Sequence, residues 1–255
     1  MLKIQTFGNK THITDLLIVH GLFGSGRNWR AIARNISSDR QVHVVDMRNH
    51  GESFWNADNS YESMAEDLKK IITSLKSPVD VLGHSMGGKA SMVLAINNPD
   101  LVNRLLIIDI APTKYQHDQS INIAIMKNLP IDDLTRRSDA DLILKKTLSD
   151  DALRAFFLQS LIISPNGNSW QLNLDALDKN MDKIIGFPDV SGQFNGMTFF
   201  LKGELSNYIS DKDLPNINLL FPRNKIITIK NAGHWVHAEA TRDFLISVKK
   251  YLSVS

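Results

Sequence analysis

Short apolar runs that alternate with helical patterns are the feature that most constrains the fold of this chain. The runs are apolar along nearly their whole length, as strands buried on both faces of a sheet are. Between them lie segments whose apolar residues recur every 3.6 residues, most clearly over residues 61–75. This alternation predicts an α/β fold with a mostly parallel central sheet flanked by helices. The predicted strands cover residues 16–21, 41–48, 79–85, 104–111, 197–203 and 225–231.

The alternation stops between residues 114 and 190, where the patterns are all helical. A helical block between two strands of a parallel sheet is expected to cover the carboxyl ends of the strands, where ligands bind. We therefore predict a core of residues 1–113 and 191–255, with a helical cap of residues 114–190 inserted before the last two strands. Many cap residues are apolar at helical spacing, among them Ile121, Ile125, Met126, Phe156, Phe157, Leu161 and Ile162.

Composition and charge argue against several classes of function. The 255 residues carry a net charge of +2 without a long basic run, so charge predicts neither a nucleic-acid partner nor an anionic membrane surface. The chain has no Cys, which excludes disulfides, thiolate zinc sites and a Cys nucleophile. It shows no signal-peptide pattern and no apolar run of about 18 residues, so we expect a cytoplasmic protein without a membrane span. Composition does not predict the oligomeric state.

A glycine-rich turn follows the first predicted strand in LLIVHGLFGSGRNW, residues 16–29. Gly21 and Gly26 have the spacing of a phosphate-binding loop, but Arg27 and Asn28 stand where that loop needs Lys and Ser or Thr. The glycine spacing does not match the dinucleotide-binding fingerprint either. The alternative is a hydrolase loop whose backbone N–H groups stabilise an oxyanion, and other segments of the chain decide between the two.

The stretch VDVLGHSMGGKASMVLA, residues 79–95, predicts a serine nucleophile. Gly83 to Gly87 match G-x-S-x-G between a strand pattern and a helix pattern, which is the context of a nucleophile elbow. Such a turn places the Ser85 hydroxyl at a helix N-terminus, where free N–H groups and the helix dipole favour negative charge. The alternative is a serine that caps a helix in a purely structural turn.

A serine hydroxyl needs a base to become nucleophilic, and this architecture places the base last in the chain. His234 in IKNAGHWVHAEA directly follows the last predicted strand, so we predict His234 as the base. His237 is its local rival. We interpret His12 and His117 as solvated loop residues and His20 as a residue that organises its own loop.

This chemistry also predicts a role for the glycine-rich turn. An oxyanion needs two N–H donors, one from the residue after the nucleophile and one from the loop after an earlier strand. We predict that the backbone N–H groups of Met86 and Leu22 form this oxyanion hole. We expect the side chains of Leu22 and Met86 to form, with Phe23 and Trp235, an apolar surface of the active site opposite the cap. We assign Phe23, Trp235 and Ser206 to substrate binding.

Four motifs together resemble the α/β-hydrolase family and, within it, the YbfF-type esterases: HGLFGSGRNW, DMRNHGES, GHSMGGK and AGHWVHAE. The resemblance covers essentially the whole chain and is weakest in the cap. It implies a hydrolase of small-molecule acyl esters, with acyl-CoA thioesters as a further substrate class, and no metal or organic cofactor. C–C bond hydrolases and perhydrolases share the same triad, and a ligand receptor on this fold is the non-enzymatic alternative.

The acid partner of His234 has several candidates. In many α/β hydrolases this acid follows the strand predicted at residues 197–203, but Ser206 stands at the usual position. Asp109 ends the apolar run RLLIIDIA, where an unpaired carboxylate would be costly to bury. We therefore predict Asp109 as the acid. The remaining candidates are Glu204, Asp211 and Asp213.

Overall fold

A computed structural model describes residues 1–116 and 119–253, so His117 lies outside the described residues. The described strands are β1 (Lys3–Phe7), β2 (Leu16–Val19), β3 (Val42–Asp46), β4 (Val79–His84), β5 (Val102–Ile108), β6 (Leu161–Ile162), β7 (Ser169–Trp170), β8 (Met197–Gly203) and β9 (Asn224–Ile229). The described α-helices are α1 (Arg30–Ile36), α2 (Tyr61–Leu75), α3 (Met86–Asn97), α4 (Ser120–Lys127), α5 (Arg137–Leu144), α6 (Asp151–Leu158), α7 (Leu174–Lys179), α8 (Met181–Ile185), α9 (Leu214–Leu220), α10 (Val236–Glu239) and α11 (Thr241–Leu252). Within the described ranges, no helix is both long and apolar enough to cross a membrane.

The central sheet has seven strands in the order β1-β3-β2-β4-β5-β8-β9. All neighbouring pairs are parallel except β1 with β3, which is antiparallel. Strands lie at each of the six predicted positions, which confirms the mostly parallel sheet. The sequence analysis did not predict β1, because this edge strand is partly exposed along its length and has no continuous apolar run.

Both faces of the sheet are buried, which explains the continuous apolar runs. Successive side chains along a strand point to opposite faces. Leu17 and Val19 therefore pack with residues of α2 and α3, while Leu16 and Ile18 pack with residues of α1 and α11. A strand in this position has no face on which polar side chains would be favourable.

Residues 114–190, called the insertion below, contribute α4 to α8 between β5 and β8. This confirms a mainly helical segment before the last two strands of the sheet. The predicted helical spacing is wrong at Leu161 and Ile162, where β6 pairs with β7 in a short antiparallel hairpin. The connecting turn contains Gly167 at φ 110°, a conformation that favours glycine and ends a helix. The domain boundaries at 114 and 190 stay a prediction.

The sheet brings the predicted site residues to one edge. Parallel strands share a direction, so their carboxyl ends meet at the same edge. Leu22 lies in the loop after β2, Ser85 directly follows β4, Asp109 directly follows β5, and His234 lies in the loop after β9. The insertion begins after β5 and therefore leaves the sheet at this edge as well.

Candidate active site

Ser85 occupies the sharp turn between β4 and α3. Its backbone adopts φ 51° and ψ −120°, a conformation rarely populated by residues other than glycine. A Cβ at Gly83 would come within 2.5 Å of the Gly87 carbonyl oxygen, and one at Gly87 within 2.4 Å of the His20 carbonyl oxygen. The two glycines are therefore required because backbone segments pass too closely for any side chain.

Ser85, His234 and Asp109 form a continuous hydrogen-bonded relay. The Ser85 hydroxyl lies 3.0 Å from His234 Nε2, and His234 Nδ1 lies 2.8 Å from Asp109 Oδ2. In the neutral tautomer that satisfies both bonds, Nδ1–H donates to the carboxylate and Nε2 accepts from the serine hydroxyl. This arrangement allows the imidazole to take the serine proton while its orientation is held by the carboxylate.

The Asp109 carboxylate is fully buried and well supplied with donors. Its Oδ1 accepts a hydrogen bond of 2.9 Å from the Gly203 N–H, and its Oδ2 accepts from the Ser206 hydroxyl. A buried carboxylate requires such partners because it loses its hydration. Ser206 is not among the residues that line the cavity described below, and its hydroxyl donates to the Asp109 carboxylate; its role in substrate binding stays a prediction.

The other candidate acids make different contacts. The Glu204 carboxylate accepts a hydrogen bond of 2.9 Å from the Asn231 N–H, and that of Asp213 accepts from the backbone and hydroxyl of Ser210. Asp211 begins a short 3-10 turn that ends at Asp213. Of the four candidates, Asp109 is the carboxylate that the structure brings to His234.

The loop that carries Leu22 is held by side chains from the DMRNHGES segment. The Phe23 N–H donates to His50 Nε2 at 3.2 Å, and the Gly26 N–H donates to Asp46 Oδ1 at 2.6 Å. Within the described residues, the N–H groups of Leu22 and Met86 have no protein acceptor. Both groups therefore have the free donor that an oxyanion hole needs.

Two buried histidines tie this loop to β3 and the segment after it. His20 donates from Nδ1 to the Gly21 carbonyl and accepts the Met47 N–H at Nε2, as expected for a residue that organises its own loop. His50 donates from Nδ1 to the Arg48 carbonyl. Burial lowers the pKa of His20 to about 4 and that of His50 to about 3. Both rings are therefore neutral near pH 7, which leaves each Nε2 able to accept a backbone N–H.

A cavity of about 460 Å³ opens beside Ser85 and is walled by the core and the insertion. Phe23 and Trp235, assigned to substrate binding from the sequence, both line it. They pack against the insertion, with ring centroids 5.4 Å apart for Phe23 and Phe157 and 5.3 Å apart for Trp235 and Phe156. Other apolar lining residues are Leu22, Met86, Ile110, Leu153, Ile184 and Ile185. A cavity of this character favours the burial of an apolar group beside the serine.

Comparison with known proteins identifies the family. A family model described as alpha/beta hydrolase fold matches residues 15–241, which is most of this chain. The chain belongs to the α/β-hydrolase family. The match includes the Ser85 turn, the Asp109 strand end and the His234 loop, so the relay lies entirely within the matched region.

Relatives of this α/β hydrolase include esterases and lipases. The sn-1-specific diacylglycerol lipase ABHD11 of Mus musculus is 38% identical over 247 residues, which are 93% of this chain and 80% of that protein. Esterase YbfF of Escherichia coli (strain K12) is 31% identical over 256 residues, 99% of this chain and 98% of that protein. A solved structure titled marine microorganism esterase is 38% identical with a TM-score of 0.92, and each chain is covered to 98%. These similarities confirm the predicted resemblance and support an ester-hydrolysing enzyme.

His237, the rival base, lines the cavity beside Ser85 in this α/β hydrolase, but the hydrogen bond with Ser85 Oγ is made by His234. Its ring stacks on Trp29 with centroids 4.2 Å apart, and its buried Nδ1 has no partner among the described residues. Burial, with a further contribution from His234, lowers the pKa of His237 to about 4. The ring is therefore a neutral packing element near pH 7, and the contact with Ser85 Oγ is made by His234.

Replacing His237 with phenylalanine should reduce the acid sensitivity of the fold. An unfolded histidine titrates near pH 6.5, above the native value of about 4, so the unfolded state binds the proton first as the pH falls. The wild-type protein thus loses stability between pH 6.5 and about 4. Phenylalanine keeps the contact with Trp29 and does not titrate. From pH 8 to pH 5, the free energy of unfolding of His237→Phe should gain up to about 2 kcal/mol relative to wild type.

Urea denaturation at pH 8 and pH 5 measures this difference. His12→Phe is the matched control, because it makes the same substitution at an exposed histidine. A His237→Phe variant whose stability relative to wild type is equal at the two pH values would contradict the buried neutral histidine.

Tyr208 is a site residue that the sequence analysis missed. Its ring stacks on the His234 imidazole with centroids 3.9 Å apart and an interplanar angle of 22°. Its N–H donates to the Ser206 hydroxyl oxygen, and its carbonyl accepts the Tyr115 hydroxyl at 2.6 Å. Tyr208 thus connects His234 and Ser206 to Tyr115 of the insertion. No local motif marks it, since the stacking exists only when the loops after β8 and β9 are folded together.

Proposed function

We propose that this α/β hydrolase is a serine esterase in which Ser85 is the nucleophile, His234 the general base and Asp109 the acid. The observation that carries the proposal is the relay of 3.0 and 2.8 Å hydrogen bonds beside an apolar cavity. A serine in a strained turn, a histidine in contact with it and a buried carboxylate behind the histidine are the parts that acyl transfer needs.

The mechanism follows from these contacts. His234 Nε2 takes the Ser85 proton as Oγ attacks the acyl carbonyl, and the Leu22 and Met86 N–H groups stabilise the oxyanion. His234 then gives the proton to the leaving alcohol, which leaves an acyl group on Ser85. Water attacks this ester with the same histidine as base, and the acid product leaves with the serine restored.

The cavity predicts which part of the substrate gives selectivity. Its walls combine Phe23 and Trp235 of the core with Phe156 and Phe157 of the insertion, so an acyl chain is the group that gains most from entering. The esterase and lipase names of the relatives agree with an ester substrate. Acyl-CoA thioesters are a second substrate class, because thioesters react through the same acyl-enzyme.

A series of p-nitrophenyl esters tests the esterase function and the acyl pocket together. Each buried methylene contributes about 0.8 kcal/mol, which is close to fourfold in kcat/KM at 25 °C until the cavity is full. We expect kcat/KM to rise from acetate, reach a maximum and then fall towards laurate, with all esters below micelle-forming concentrations. The same chain lengths as acyl-CoA thioesters measure the second substrate class.

The outcomes separate the alternatives. Multiple turnover supports an enzyme, whereas hydrolysis that stops after about one equivalent of product supports a ligand receptor on this fold. A flat profile beyond acetate contradicts the acyl pocket and leaves the relay unaffected. Absence of hydrolysis across the series contradicts the esterase function itself and favours a C–C bond hydrolase or a perhydrolase with the same relay.

A further inference from the structure

Lys89, in the motif GHSMGGK, has no part in the relay or in the oxyanion loop. It lies on α3 one turn beyond the nucleophile, and its backbone N–H donates to the Ser85 carbonyl at 3.1 Å. Lys89 is only 1% exposed, and burial lowers the pKa of its ammonium group to about 7. Burying an ammonium costs several kcal/mol unless it is well bonded. The partners of Lys89 therefore indicate why a lysine is present here.

Those partners are three backbone carbonyl groups at the two ends of the insertion. Lys89 Nζ lies 2.8 Å from the Thr113 oxygen, 2.9 Å from the Ile185 oxygen and 2.5 Å from the Gly186 oxygen. Thr113 stands where the chain leaves the sheet after β5, and Ile185 and Gly186 stand at the end of α8. An ammonium has three N–H groups, so each of them has one acceptor.

The two ends are also joined to each other around this lysine. The Tyr115 N–H donates to the Ile185 carbonyl at 3.0 Å, and the Tyr61 hydroxyl of α2 donates to the Ile184 carbonyl at 2.6 Å. The rings of Tyr115 and Tyr61 have their centroids 4.6 and 5.7 Å from Nζ, so both faces add cation–π attraction. Lys89, Tyr61 and Tyr115 line the cavity together with Ile184 and Ile185, so the lysine contacts are part of the cavity wall.

We propose that Lys89 is a positioning residue that fastens both ends of the insertion to the nucleophile helix and thereby sets the acyl pocket. The proposal rests on the esterase function proposed above and adds a determinant of acyl-chain selectivity. One side chain links α3, which begins next to Ser85, to the wall formed by Ile184 and Ile185. Movement of that wall relative to the serine is thus restricted at the point where a longer acyl chain would meet it.

Two other roles for a buried lysine fit these contacts less well. Binding a substrate carboxylate would require a free N–H group, but three carbonyl groups accept all three. The groups that face Nζ are the Tyr61 and Tyr115 phenols, whose pKa values burial raises, so they stay neutral. Among the described residues, no carboxylate contacts Nζ, and proton transfer at Ser85 already has His234 within 3.0 Å. The hydrogen bonds of Lys89 Nζ therefore link backbone segments of the protein to one another.

The test replaces Lys89 with methionine, whose unbranched side chain is one heavy atom shorter and lacks all three donors. With p-nitrophenyl octanoate, KM should rise by about tenfold, the size of one lost charge-assisted hydrogen bond. With p-nitrophenyl acetate, which is too short to depend on the Ile185 wall, kcat should fall by less than about threefold. Lys89→Arg keeps the charge and several donors, so its ratio of octanoate to acetate KM should stay within about threefold of wild type.

Lys127→Met is the matched control, because Lys127 makes an exposed ion pair with Asp175 inside the insertion and does not line the cavity. Its KM ratio should equal that of wild type. If Lys89→Met does not fold, Lys89→Gln retains two N–H donors and is judged by the same criterion, with a smaller rise of about threefold in octanoate KM. Equal losses in kcat for both esters, or an unchanged KM ratio, would overturn the proposal. Failure of wild type to hydrolyse either ester would instead count against the esterase function.

Discussion

Replacing Ser85 with alanine should lower kcat for ester hydrolysis by at least about 10³-fold while the fold is retained. Without Oγ, His234 has no hydroxyl proton to take and no acyl-enzyme can form. The oxyanion loop and the cavity remain, so weak binding and a small residual rate should persist. The p-nitrophenyl ester with the highest wild-type kcat/KM measures the loss, and circular dichroism with thermal unfolding verifies the fold.

A covalent probe assigns the nucleophile independently of the rate. A fluorophosphonate should label wild-type protein at Ser85, as located by mass spectrometry of the peptide, and should not label Ser85→Ala. Ser74→Ala on the exposed side of α2 is the matched control and should keep wild-type activity and labelling. Labelling at another serine, or full activity in Ser85→Ala, would show that the proposed mechanism is wrong.

Replacing Asp109 with asparagine should cost on the order of 10³–10⁴-fold in kcat. The amide is nearly isosteric and can keep the hydrogen bond from Gly203, so packing is preserved. An amide does not stabilise an imidazolium as a carboxylate does, and it can hold His234 in the wrong tautomer. The kcat of purified Asp109→Asn, measured with the same ester as for Ser85→Ala, tests this expectation.

Glu204→Gln is the matched control for this substitution. The Glu204 carboxylate accepts the Asn231 N–H near the base of the His234 loop, and an amide oxygen can replace that acceptor. We expect a change in kcat of less than about threefold. A large loss in Glu204→Gln together with a small one in Asp109→Asn would transfer the acid to Glu204 and leave Asp109 with a structural role.

The central sheet could be predicted because its strands are buried on both faces. Every residue of β4 is buried, and its sequence VDVLGH has polar side chains only at Asp80 and His84. The edge strand β1 lacks this pattern because much of it is exposed to solvent. The hairpin strand of Leu161 and Ile162 could not be predicted from the sequence, because two residues are too few to display a period.

The site could be predicted where local structure decides the chemistry. Gly83 and Gly87 mark a turn too tight for side chains, so the position of Ser85 follows from residues within two places of it. His234 follows the last strand, and that order along the chain is visible in the sequence. Ser206 shows the opposite situation: its position along the chain suggested contact with substrate, whereas its hydroxyl bonds to a carboxylate 97 residues away.

Thus the sequence by itself determined the parallel sheet, the serine turn and the histidine loop, because steric limits and hydrophobic periodicity act between residues close along the chain. Only the tertiary structure decided which carboxylate meets His234, which ring stacks on it and what Lys89 binds. These contacts join segments from different strands and from the insertion. Their geometry depends on the order of strands in the sheet and on how the insertion packs, and no short stretch of residues contains that information.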